Sequence, residues 1–146
     1  MKQLSQKTIL ILLGATLLIL VVATVLLNPG RRLADERNNI RIENMSQIVA
    51  GITEYAKANS GTLPRNIPVS DNCTDAKYEI CRHKSDKCEG KVTLDVLVND
   101  KYMEFMPVDP KEDGEHTGYH IVQSDKGRVT VCAPNAELGR KLEYIK

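Results

Sequence analysis

The stretch TVLLNPGRRLADERNN (Thr24–Asn39) changes character in the middle and decides the fold. To its left, Thr8 to Leu27 is an uncharged run rich in Leu, Ile and Val. As a helix at about 1.5 Å per residue, that run spans roughly 30 Å, the hydrocarbon thickness of a bilayer. A cleaved signal peptide has a shorter apolar core of roughly 7–15 residues and a small-x-small exit. The best exit here, Val21-Val22-Ala23, is imperfect, and Val25, Leu26 and Leu27 carry the apolar run beyond it. A retained hydrophobic helix is the preferred reading, ahead of a cleaved signal or a buried core helix.

To the right of the junction, Asn28 suits an N-cap and Pro29 the first helical position, where its missing N–H is not needed. Asp35 and Glu36 near the start suit the helix dipole. Ser60-Gly61 followed by Pro64 makes the stop. Proline at the first position fits a fresh helix start or a kink, so a break or kink is expected near Asn28. Ile42, Met45, Ile48, Val49, Ile52, Tyr55 and Ala56 fall on one face at helical spacing. Carried back toward the start, that face meets Asn38, Asp35 and Arg31. Arg31 to Arg41 is therefore expected to protrude as a polar stalk. Leu33 and Ile40 share a different face of that stalk: two ordinary exposed aliphatics, or a contact for a neighbouring subunit.

Charge narrows the function. The chain of 146 residues carries 20 basic and 19 acidic residues. Only Lys2 and Lys7 are charged before Asn28, which leaves 18 basic and 19 acidic residues beyond it. With no basic excess, no Trp and one Phe (Phe105), nucleic acid is not expected as a partner. The positive-inside count does not orient the span, because Lys2 and Lys7 precede it while Arg31, Arg32 and Arg37 follow it. The cysteines orient it instead. An even number behind a hydrophobic N-terminus suits an oxidising compartment, placing the domain outside the cytoplasmic membrane.

Beyond Pro64 the chain becomes short-period and turn-rich. Asn66 to Gly90 reads as a loop stapled by cysteines, and VTLDVLVND (Val92–Asp100) as a short helix more than a strand. YHIVQ (Tyr119–Gln123) and RVTVCA (Arg128–Ala133) alternate around Ser124-Asp125-Lys126-Gly127, which spells a β-hairpin. KLEYIK (Lys141–Lys146) supplies a third strand. Such a sheet must lay one face on something, and the Ile42–Ala56 stripe is the partner of suitable length. The fold class is α+β: a long N-terminal helix, apolar then polar, packed at its C-terminal half on a small antiparallel β-sheet. The expected divisions are an apolar helix at 1–27, a stalk and domain-packed helix at 28–61, and a Cys-containing loop and sheet at 62–146.

No chemistry is visible in the titratable residues. Cys73, Cys81, Cys88 and Cys132 allow three pairings, which spacing does not decide; Cys81–Cys88 with Cys73–Cys132 is favoured. A zinc site from Cys73, Cys81, His83 and Cys88 lacks close Cys-x-x-Cys pairs. His83, His116 and His120 adjoin no nucleophile motif, and no Gly-rich phosphate loop appears. Asp109, Glu112, Asp113 and Glu115 offer oxygen ligands for calcium, but not at EF-hand spacing, and a solvated acidic loop is preferred. No enzyme and no cofactor are expected.

The order of apolar helix, polar helix and small sheet resembles a type IV pilin or a type II secretion pseudopilin. Local pieces carry the resemblance: LLNPGRR at the end of the apolar run, MSQIVAGITEYAKANSGTLP (Met45–Pro64), YMEFMPVDPKEDGEHTGYHI (Tyr102–Ile121) and RVTVCAPNAELG (Arg128–Gly139). The sequence departs from the family at the processing motif. SQKTILILLGATLLIL (Ser5–Leu20) has neither the Phe nor the acidic residue of a Gly-Phe-Thr-Leu-Ile-Glu start, which implies a divergent member. The resemblance implies a filament subunit that self-associates through the apolar helix, with Ile9, Leu13, Leu17, Leu20, Val25 and Pro29 in the assembly helix. Leu33 and Ile40 would be stalk contacts. The implied partners are the membrane and a pilus or secretion assembly machinery. The competing reading is a membrane-anchored, monomeric extracytoplasmic binding module.

Overall fold

A computed structural model describes residues 5–26 and 28–146. Lys2 and Leu27 lie outside the described residues, and with Leu27 goes part of the junction near Asn28 where a break or kink is expected. Two compact units divide between Leu33 and Ala34.

The first unit is helical. α1 runs Gln6–Leu26. Ser5 caps it, its Oγ accepting from the Lys7 amide at 3.3 Å and its carbonyl from the Ile9 amide at 3.1 Å. Thr16 and Thr24 turn their hydroxyls back onto the Leu13 and Val21 carbonyls at 2.9 and 2.8 Å. This keeps polar groups satisfied within the helix, as an apolar surrounding requires. α1 is long and apolar enough to cross a membrane.

α2 spans Pro29–Ala58. Asn28 Oδ1 accepts from the Arg31 amide at 3.2 Å, a side-chain cap at the helix start. At the other end the Gly61 amide donates to the Ala56 carbonyl at 2.8 Å while Gly61 sits at φ +85. Glycine adopts that left-handed conformation without a Cβ penalty and so ends the helix.

In the second unit, Ala34–Lys146, the α2 residues from Ala34 onward lie on a four-stranded antiparallel sheet in the order β1-β2-β3-β4. The strands are β1 (Glu79–Cys81), β2 (His116–Gln123), β3 (Val129–Cys132) and β4 (Glu143–Ile145). β2 and β3 form the hairpin read from the alternation, in the register His120 opposite Cys132 and Gln123 opposite Val129. KLEYIK supplies β4, with Tyr144 opposite Val131. The short helix α3 covers Asp95–Asn99 and plugs the core with Leu97. Met45, Ile48, Val49 and Ile52 of α2 meet Tyr119, Ile121, Val129 and Val131 of the sheet in one apolar core.

The loop before β1 does more than staple. Its Cys73 packs with Val122 and Cys132 in a second, smaller core. Alternation along β2 aims Tyr119 and Ile121 at α2, and His120 and Val122 at this loop. Both faces of β2 are therefore covered. The segment read wholly as loop also contains β1, held by pairing to β2, by the Thr117 hydroxyl on the Ile80 carbonyl at 2.7 Å, and by a parallel bridge between Ile80 and Val92.

The stalk expectation is corrected by burial. Ala34, Asn38 and Arg41 are buried along with Met45, Ile48, Val49, Gly51 and Ile52, while Ile42 lies exposed. The docked face is the one continued from Met45 through Arg41, Asn38 and Ala34. Docking begins at Ala34 because polar partners elsewhere in the chain receive Asn38 and Arg41.

Candidate functional site

Two features stand out, and they are opposite in character. The first is the surface of α1. Ile9, Leu13, Leu17, Leu20 and Val25 are 45% to 65% exposed, and Leu10, Ile11, Leu18 and Ile19, on other sides of the same helix, are exposed as well. No charge follows Lys7 in α1. A helix apolar all round belongs among lipid chains or other apolar helices. Pro29, placed by the sequence reading in the assembly helix, is the first residue of α2 and is exposed. Leu33 and Ile40 are exposed, at 52% and 40%.

The second feature is a buried ionic latch that ties α2 to two distant segments of its own unit. Neither the Arg41 nor the Asp109 side chain reaches solvent. Arg41 Nε donates to Asp109 Oδ2 at 2.6 Å and Nη2 to Asp109 Oδ1 at 3.0 Å, a two-point clasp. Nη1 donates to Asn38 Oδ1 at 2.9 Å and to Glu137 Oε2 at 3.1 Å. Four of the five guanidinium N–H groups are thereby used.

One turn earlier, Arg37 clasps Glu137 in the same way, Nε to Oε2 at 2.6 Å and Nη2 to Oε1 at 2.7 Å. Asn38 completes the join through backbone groups. Its Nδ2 donates to the Glu137 carbonyl at 2.9 Å, and its Oδ1 accepts from the Glu137 amide at 3.0 Å. One turn later, Asn44 Nδ2 donates to the Val108 carbonyl at 3.2 Å and to the Tyr119 hydroxyl at 2.9 Å.

The electrostatics follow from the contacts. The Arg37 hydrogen bonds, joined by that from Arg41, pull the Glu137 carboxyl from its usual 4.5 down to about 2. The Asp109 hydrogen bonds push the Arg41 guanidinium above its usual value. Burial pushes the Tyr119 phenol up to about 12. These contacts favour the charged forms of Glu137 and Arg41.

The acidic loop is not uniformly solvated, which corrects that expectation for one residue. Asp109 turns inward to Arg41, while Glu112 accepts from the Gly114 amide at 3.2 Å and Asp113 is exposed. Among the described residues no three His, Cys, Asp or Glu side chains converge as a metal site. Cys73 is bridged to Cys132 and Cys81 to Cys88, so the sulfurs of the zinc alternative are committed. His83 Nδ1 lies 3.0 Å from Asp95 Oδ1, and His120 Nδ1 lies 3.1 Å from the Cys73 carbonyl.

Sequence reading missed Arg37, Asn38, Arg41 and Glu137 as a set. The available signal was phase: stepping back from Met45 by four, seven and eleven residues gives Arg41, Asn38 and Ala34, one continuous helix face.

Fold and site define a class: an α+β unit joined to an apolar helix of membrane-spanning length. No family model, curated protein or solved structure matches this chain.

Proposed function

We propose that this chain is a non-enzymatic structural subunit of a type IV pilus-like or pseudopilus filament. It would assemble through α1 and display the disulfide-bonded unit outside the cytoplasmic membrane. The observation that carries the reading is the all-round apolar, exposed surface of α1. Such a surface is stable only among lipid chains or packed against like helices, and filament assembly exchanges the first for the second. The latch supports the same reading, because a helix under axial load needs a joint that does not slide, and Arg37, Asn38 and Arg41 fix α2 to Asp109 and Glu137. Two disulfides suit an oxidising, extracytoplasmic location.

The test is shearing of cells that carry the chain, followed by electron microscopy and immunolabelling of the sheared fraction. Labelled filaments are expected, and Leu33→Asp or Ile40→Asp removes them while the disulfide-bonded unit stays folded by circular dichroism. Recovery of the wild-type chain only as a monomer in the membrane fraction would replace the filament reading with a membrane-anchored binding module. Filaments unaffected by either substitution would remove Leu33 and Ile40 from the contact.

A further inference from the structure

The sequence contains two Asn-x-Ser/Thr triplets, Asn44-Met45-Ser46 and Asn72-Cys73-Thr74. This triplet marks an acceptor for N-linked glycan when it stands on an accessible loop outside the cytoplasm. The structure separates the two. Asn44 lies inside α2, and its amide nitrogen is spent on the Val108 carbonyl and the Tyr119 hydroxyl. Asn72 lies in the exposed loop that precedes the short 3-10 turn at Ala76–Tyr78.

We propose that Asn72 is a glycosylation acceptor, its side-chain nitrogen taking a saccharide from a polyprenyl-diphosphate carrier. The local geometry presents that nitrogen. Asn72 Oδ1 accepts from the Thr74 hydroxyl at 2.8 Å and from the Thr74 amide at 3.0 Å. The oxygen end of the amide is thereby engaged by Thr74, while Asn72 is exposed and its nitrogen makes no side-chain hydrogen bond among the described residues. Ser70 steadies the approach, its Oγ accepting from the Asn72 amide and donating to the Asn72 carbonyl, both at 3.1 Å. Cys73 between acceptor and hydroxyl is buried and bridged to Cys132, so the triplet is pinned to the sheet while Asn72 and Thr74 stay exposed.

The chemistry balances with one co-reactant. Asn72 Nδ2 attacks the anomeric carbon of the carried saccharide, and the new C–N bond forms as the C–O bond to the diphosphate breaks. Polyprenyl diphosphate departs, and the amide nitrogen gives one proton to a base of the transferase. The proposal rests on the extracytoplasmic location proposed above, which the bridged cysteines suit. Filament assembly is not required for the modification.

Native protein from its source cells is reduced, digested with trypsin and read by mass spectrometry with electron-transfer fragmentation. The expected result is a saccharide mass on Asn72 in the peptide Asn66–Lys77 and none on Asn44. Thr74→Ala, which leaves Asn72 and both cysteines in place, loses the modification, and Thr74→Ser keeps it. An unmodified Asn72 in the native protein overturns the proposal, as does a saccharide that survives Thr74→Ala. Formation of the Cys73–Cys132 bridge, followed in each variant by non-reducing peptide mapping, separates a lost acceptor from a misfolded loop.

Discussion

The guanidinium of Arg41 and the carboxylate of Asp109 meet through two hydrogen bonds, at 2.6 and 3.0 Å, with both side chains closed to solvent. The two residues lie 68 positions apart. Their meeting joins α2 to the connection that leads into β2.

That pair predicts an asymmetric mutational response. Removing one partner of a buried ion pair costs about 3–5 kcal/mol, because the other charge stays buried without compensation. Asp109→Ala is expected near the low end, about 3 kcal/mol, since Glu137 Oε2 remains 3.1 Å from Arg41. The double variant Arg41→Met with Asp109→Leu should lose less than Asp109→Ala alone, having no stranded charge. Denaturant unfolding of the detergent-solubilised chain reads both. A double variant as damaged as Arg41→Met and Asp109→Leu measured singly and added together would show that the residues do not act as a pair.

Acid should weaken the fold in two windows. Burial holds the His120 imidazole below its usual 6.5. The unfolded chain therefore takes up a proton there that the folded chain refuses, and stability begins to fall as pH drops past about 6.5. The Arg37 and Arg41 hydrogen bonds hold Glu137 down at about 2 against a usual 4.5. A depressed carboxylate contributes fully above its unfolded value, and that contribution is lost as pH falls from about 4.5 toward about 2. Glu137→Gln should leave the first window unchanged and make the second shallower, as read from unfolding midpoints against pH. An unchanged acid limb in Glu137→Gln would remove Glu137 from the acid response.

Much of this architecture was legible because its signals are local. Ser60-Gly61 marks the end of α2, alternation on either side of Ser124–Gly127 marks the hairpin, and Lys141–Lys146 reads as a strand. The latch was not legible, because a charged residue at a core phase looks like the end of the buried face unless its distant partner is known. Arg41 needs Asp109 and Glu137, which lie 68 and 96 residues away. Ile42 pulled the reading of the face off by one position. β1 was missed because three residues, Glu79-Ile80-Cys81, cannot show a period; its pairing with β2 makes it a strand. The inward turn of Asp109 escaped notice among exposed acidic neighbours in the same loop.

Gly118 predicts a steric effect that Gly127 controls for. Both glycines are left-handed, at φ +74 and +76, where a side chain costs about 1–2 kcal/mol. They differ in surroundings. A Cβ on Gly118 would stand 2.8 Å from Asp109 Cβ, whereas one on Gly127 meets nothing within 4 Å. Gly127→Ala should therefore cost the backbone term alone, and Gly118→Ala distinctly more, since it also pushes Asp109 off Arg41. Equal losses in the two variants would show that the close approach of Gly118 to Asp109 does not hold α2 in place.

The two disulfides should contribute unequally, because they close chain segments of different length. Cys73–Cys132 spans a separation of 59 residues and Cys81–Cys88 a separation of 7. On the chain-entropy account the longer closure stabilises by about 4 kcal/mol and the shorter by about 2.5 kcal/mol. Packing widens the gap, since Cys73 and Cys132 also form the second core with Val122 beneath the loop. Cys73→Ala with Cys132→Ala is thus expected to lower the unfolding midpoint more than Cys81→Ala with Cys88→Ala. The first variant should also speed amide exchange in Asn72–Tyr78, where the loop loses its tether to β3. If the short-loop variant proves the more damaged, the Cys81–Cys88 bridge is what holds β1 on the sheet, and the outer core under Cys73 is secondary.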